Sequence, residues 1–190
     1  MKIGIISYGI GNIGSVIGSL NNLSVSYQII EKESQFDNID KLILPGIGNF
    51  KKCKQILDDK NFTSKILEKV LNEKIPILGI CLGMQLLTTL GTEGSDKVNA
   101  VSSGLKLIEG KVINLKSLGS KLILPHVGWN NIKIKKISPI IKDIPNNTDF
   151  YFVHSYAYSN LNEDHIIAVA SYGIDFPVII QNEHIWGTQF

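Results

Sequence analysis

The stretch PILGICLGMQLL, Pro76 to Leu87, starts as an apolar β-like run and ends with the spacing of an amphipathic helix. At the junction a cysteine stands between two glycines. Gly79-Ile80-Cys81-Leu82-Gly83 has the G-x-nucleophile-x-G form of a nucleophile elbow. In such a corner the strand turns into the helix so sharply that the central residue takes a strained backbone, and the positions two residues either side have no room for a side chain. A chain built around this corner must place a helix at the carboxyl end of a strand, which points to a layered α/β sheet. The sulfur would then lie at the N-terminus of the helix opened by Leu82, where unpaired N–H groups favour an anion. That predicts a lowered thiol pKa at Cys81 and an oxyanion donor in the Leu82 N–H.

The rest of the chain fits around that corner. Residues 2–8, 25–30, 41–45 and 75–80 read as strands that are apolar throughout. Helical patterns separate them over 12–23, 49–73 (with a break near Asn61) and 82–90. Strands without alternation, separated by helices, predict a parallel central sheet with helices on both faces. After Gly91 the strands come closer together, over 109–115, 121–134, 149–158, 165–173 and 176–190, which predicts antiparallel strands extending the sheet. The fold class read from this is α/β and flavodoxin-like. At 190 residues and 44% hydrophobic, the chain is expected to form a single domain, 1–190.

Composition narrows the function. Every one of the 19 cations is a lysine and the net charge is +2. Without arginine or a dense lysine block, nucleic-acid recognition is not expected. The longest apolar run, 75–84, is too short to span a bilayer and the first residues lack a signal peptide's apolar segment, so no membrane association and a cytoplasmic location are expected. Two cysteines make no disulfide framework. No phosphate loop, dinucleotide fingerprint or metal-ligand spacing is evident, so no cofactor and no metal are expected.

A free cysteine is ordinarily a small buried hydrophobe, and Cys53, in FKKCKQIL, fits that description. Cys81 is set apart by its flanking glycines. A second element supports it: LPGIGNF, 44–50, ends a neighbouring predicted strand in a glycine-rich loop, which lets the backbone approach a ligand and could offer an oxyanion N–H from Ile47 or Gly48.

The motifs YGIGNIGSV, LPGIGNF, PILGICLGMQLL, LPHVGWN and YFVHSYAY, in that order along the chain, resemble the class I (cysteine) glutamine amidotransferases over essentially the whole chain. Within that family they are most similar to the glutaminase subunits that serve an imidazole-forming synthase of histidine biosynthesis. The resemblance implies hydrolysis of glutamine to glutamate and ammonia through a γ-glutamyl thioester. It also implies a (β/α)8-barrel synthase subunit as heterodimer partner, which receives the ammonia through an internal channel. Carried over motif by motif, Cys81 is the nucleophile, and Ile47 and Leu82 are the oxyanion donors. Gly46, Gly48, Leu82, Gln85, Ser155 and Tyr156 contact glutamine, while the YGIGN loop and the PHVGWN strand face the synthase.

Two departures qualify the resemblance. Ser7 stands where the family usually has Asp before the Tyr. In the family, moreover, the strand matching GTQF is followed by His-Pro-Glu, whose His is the general base, whereas this sequence stops at Phe190. The base of Cys81 is therefore expected to lie outside residues 1–190, with His126, His154, His165 and His184 structural or exposed. Two further readings stay open: a paralogue supplying ammonia to another synthase, such as one for surface-sugar amination, and a catalytically inactive binding subunit.

Overall fold

A computed structural model describes residues 1–94, 101–159 and 161–190. The first half alternates as expected: β1 (Lys2–Ile6), α1 (Ile13–Asn22), β2 (Ser26–Ile30), β3 (Lys41–Gly46), α2 (Phe50–Asp59), α3 (Phe62–Leu67), β4 (Ile77–Cys81) and α4 (Leu82–Leu86). Short strands follow: β5 (Leu90–Gly91), β6 (Ser102–Ser103), β7 (Lys111–Asn114), β8 (His126–Asn131), β9 (Lys133–Ile134), β10 (Asp149–His154) and β11 (Tyr156–Ser159). The last three are β12 (Ile166–Ser171), β13 (Asp175–Asn182) and β14 (Ile185–Thr188).

The main sheet runs β2-β1-β3-β4-β14-β13-β12-β9. Its pairings are parallel from β2 through β14 and antiparallel from β14 to β9. Beside it lie an antiparallel pair, β8 with β10, and a four-stranded sheet ordered β11-β7-β5-β6.

Both faces of the parallel half are covered, which is why its strands carry apolar residues without alternation. Ile3, Ile5, Ile43 and Ile80 pack with Leu20 of α1 on one face. On the other, Ile6, Leu42, Leu44 and Ile77 pack with Phe50, Leu57, Phe62, Ile66, Met84 and Leu86 of α2, α3 and α4. Asparagine starts two of these helices: the Asn12 side chain accepts from the Ser15 N–H, and the Asn49 side chain from the Lys52 N–H.

Several expected elements end elsewhere. The helix expected over 49–73 breaks at Asn61, which adopts a left-handed φ of 59°, and closes in a π-helical turn, Glu68–Asn72. The helix expected over 82–90 stops at Leu86. The carbonyls of Leu86, Leu87, Thr88 and Thr89 accept instead from the N–H groups of residues 104–108, so the helix is capped by a segment distant in sequence. The strand expected over 121–134 begins only at His126, after Pro125. The run 149–158 splits at Ser155: β10 pairs with β8 and β11 with β7, in different sheets. Among the described residues no helix is long and apolar enough to cross a membrane.

Candidate active site

Cys81 ends β4 with φ 54° and ψ −112°, a combination that costs any residue bearing a Cβ. The surrounding glycines are the reason the chain can make the turn. A Cβ on Gly79 would lie 2.6 Å from the Gly83 carbonyl oxygen, and one on Gly83 would overlap the Leu44 carbonyl oxygen of β3. Gly46, the register partner of Cys81 on β3, is similarly tight: its Cβ would lie 2.7 Å from the Tyr8 hydroxyl and 2.9 Å from the Gly83 nitrogen. The elbow is thus pressed against the end of the neighbouring strand.

The sulfur opens into a cavity of about 490 Å³. Ile47, Gly48, Cys81, Leu82, Gln85, Ser155 and Tyr156 line it, so seven of the eight residues expected at the site share one space. Gly46 lies outside the lining, beneath the corner. Asn12, Glu93, Tyr151, Val153, His154, Gln189 and Phe190 complete the wall.

Cys81 is electrostatically unlike its sequence expectation. Burial pushes its thiol up, and hydrogen bonds from the Leu82 N–H and the Gln189 amide pull it back without reversing the shift. The helix it caps is only five residues long, so its terminus brings few aligned peptide dipoles to bear.

One wall is a chain of amides. Gln85, almost wholly buried, donates from Nε2 to the Tyr156 carbonyl (3.0 Å) and to Gln189 Oε1 (3.0 Å). Gln189 in turn donates from Nε2 to Cys81 Sγ at 3.7 Å. Phe190 closes the wall by stacking on Phe150 at 3.9 Å between centroids. Across the cavity Glu93 accepts the Phe50 N–H at 2.9 Å, and burial pushes its carboxyl up. Sequence reasoning missed Gln189 and Glu93. The first had a signal, since GTQF sits on the strand that pairs with the elbow strand.

Of the histidines only His154 lines the cavity, and both its nitrogens are engaged. Nδ1 lies 2.9 Å from the Tyr156 carbonyl and Nε2 lies 3.0 Å from His126 Nδ1. His184 Nε2 meets the Val70 carbonyl at 2.8 Å. Cys53 is fully buried, with its thiol directed at the Ile47 carbonyl.

A nucleophile elbow at the carboxyl edge of a parallel sheet, beneath a cavity into which amide and hydroxyl side chains project, defines a class of cysteine-dependent enzyme. Residues 5–190 match the family profile "Glutamine amidotransferase class-I", and the chain belongs to that family. A glutamine amidotransferase crystal structure matches with a TM-score of 0.75 at 14% identity, covering 99% of this chain and 88% of that one. At that identity it speaks to the fold alone. More specifically, the chain is 36% identical over 190 residues to the imidazole glycerol phosphate synthase subunit HisH of Leptospira borgpetersenii, covering 99% of this chain and 90% of the relative. It is 39% identical over 188 residues to subunit HisH 1 of Campylobacter jejuni strain RM1221, with the same coverage.

Proposed function

We propose that this chain is the glutaminase subunit of an imidazole glycerol phosphate synthase, hydrolysing glutamine to glutamate and ammonia for the synthase subunit. The observation that carries the chemistry is the strained corner that holds Cys81 at the floor of the cavity. The Cys81 sulfur attacks the γ-carboxamide carbon of glutamine. The Leu82 N–H, with a second donor from the Ile47–Gly48 loop, receives the oxyanion. Ammonia leaves with a proton, and water cleaves the thioester to glutamate. Ser155, Tyr156 and the Glu93 carboxylate are suited to the α-amino acid end, with Glu93 supplying the charge opposite an ammonium.

His154 is spent on two other partners, so it is not the base in this reading. The resemblance gives that role to the histidine of the family's His-Pro-Glu. We assign the chain to the cytoplasm, where a free catalytic thiol stays reduced.

The partner reading rests on a surface. On the outward face of the β8–β10 pair, Val127, Trp129, Tyr151 and Val153 are exposed, Trp129 by 74%. Tyr151 and Val153 also line the cavity, so this apolar face lies at its mouth. A (β/α)8-barrel synthase seated there would receive ammonia without its crossing solvent. The test is glutamate release by the full-length protein, alone and with the barrel synthase of the same organism. Release that requires Cys81 and rises with the partner is expected. Release that survives Cys81→Ala would overturn the assignment.

A further inference from the structure

The buried histidine pair is used by nothing so far. His126 and His154 face each other at the same register position of the β8–β10 pair, on its inward side, and are 3% and 7% exposed. The His126 ring is held between Phe152 and Tyr172, at 4.9 and 4.1 Å between centroids.

Their partners fix where each proton sits. The Tyr156 carbonyl can only accept, so His154 Nδ1 carries a hydrogen. At the other end the Asn130 amide nitrogen can only donate. It lies 3.3 Å from His126 Nε2 and also donates to the Ser171 carbonyl, so His126 Nε2 must be the bare acceptor. Neutral His126 then carries its hydrogen on Nδ1 and gives it to the bare Nε2 of His154 across 3.0 Å. The result is one directed chain: Asn130 to His126, to His154, to the Tyr156 carbonyl. That carbonyl also accepts from Gln85, whose other amide hydrogen reaches Gln189, the donor to the Cys81 sulfur.

We propose that His126 and His154 are positioning residues for glutamine binding. As a tautomer-locked pair they fix the Tyr156 wall of the cavity from the strand that bears the exposed Trp129. This deepens the glutaminase reading and rests on it. Alternation along β8 places His126 and Asn130 inward and Val127 and Trp129 outward, so the strand offered to a partner is also the one that anchors the substrate wall. Neither imidazole takes part in the chemistry. They act through Tyr156 and Gln85.

The test combines ligand binding with tautomer observation. In a Cys81→Ala background, which leaves glutamine unconsumed, glutamine affinity is measured by calorimetry. His126→Phe keeps the stacking but removes both the donor and the acceptor. It should weaken glutamine about tenfold, the size expected when a buried hydrogen-bonded chain is broken. His126→Asn returns a donor near the Nδ1 position and should stay within about threefold of the parent on the same scale. A merely structural role would lower the melting temperature of both variants and leave the affinity of the folded protein unchanged, which would overturn the proposal. So would failure of Asn to rescue.

Nitrogen-15 spectra of the unsubstituted chain at neutral pH give an independent reading that needs no variant to fold. Both rings should be in the Nδ1–H form, and an Nε2–H signal from His154 would refute the lock. If the Cys81→Ala parent itself fails to bind glutamine, the glutaminase reading falls, and the tautomer result still stands or falls by itself.

Discussion

Replacing Cys81 by glycine should stabilise this protein relative to replacing it by alanine. Both changes remove the sulfur and its bond from Gln189, so their difference isolates the backbone. At φ 54° and ψ −112° the position lies outside the regions open to residues with a Cβ, and such strain costs about 1–3 kcal/mol. Glycine is free of that cost but loses about 0.5–1 kcal/mol more chain entropy on folding than alanine. The net expectation is that Cys81→Gly exceeds Cys81→Ala by up to about 2.5 kcal/mol, with about 1 kcal/mol at the centre of the range. For a domain of this size each kcal/mol moves the melting temperature by roughly 2–4 °C. Calorimetric melting of the two variants, with urea midpoints as a second measure, reads the difference. Its sign is the diagnostic, because at an ordinary strand end glycine would be the less stable of the two. A glycine variant below alanine by about 0.5–1 kcal/mol would mean that the corner stores no strain, and the argument for an elbow would fail.

The thiols should differ sharply. A glutamine-shaped γ-electrophile should label Cys81 and spare the fully buried Cys53, as peptide mapping would show. Because burial raises the Cys81 pKa, its alkylation should rise with pH at a midpoint above that of an ordinary thiol. Gln189→Leu removes a hydrogen bond that lowers the pKa, so it should push that midpoint higher still, and a downward move would contradict the geometry. Acid should also act on stability through His154. Burial holds its pKa down to about 4, against 6.5 when exposed, so the unfolded chain binds the extra proton first as pH falls. Stability is then complete above pH 6.5 and declines by about 3 kcal/mol toward pH 4, and urea midpoints for wild type and His154→Gln should show a flatter slope in the variant. Trp129→Ala should weaken synthase binding at least about tenfold. Titration calorimetry reads that loss, while stability should change by no more than about 0.5 kcal/mol at so exposed a position.

The elbow was legible in the sequence because sterics allow almost nothing else at Gly79 and Gly83. The parallel half was legible because strands buried on both faces carry an unbroken apolar signature. What escaped was everything decided by distant segments. The length of α4 is set by residues 104–108, which take the carbonyls that would have continued the helix. Gln189 and Glu93 reach the cavity only through long-range contacts; Gln189 at least stands in the GTQF run, whereas nothing around Glu93 looks functional. The expected lowering of the Cys81 pKa weighed the helix terminus but not the burial that outweighs it. Taken as single residues, His126 and His154 offer no signal in the sequence. Only the antiparallel register brings them face to face.

The position of β14 also bears on how the protein is made. This strand lies between β4 and β13, yet 108 residues separate Cys81 from Gln189. A ribosome delivers β1 to β4 early, and until residues 185–188 emerge β4 is an open sheet edge, the kind that invites pairing with another chain. Closing so long a loop is slow, which prolongs that exposure. The same delay keeps the thiol without its amide donor and without the Phe190 wall until β14 has joined β4. A nascent or partly unfolded chain therefore has the cysteine but not the site around it, and it is the joining of β14 that brings the amide donor to the nucleophile.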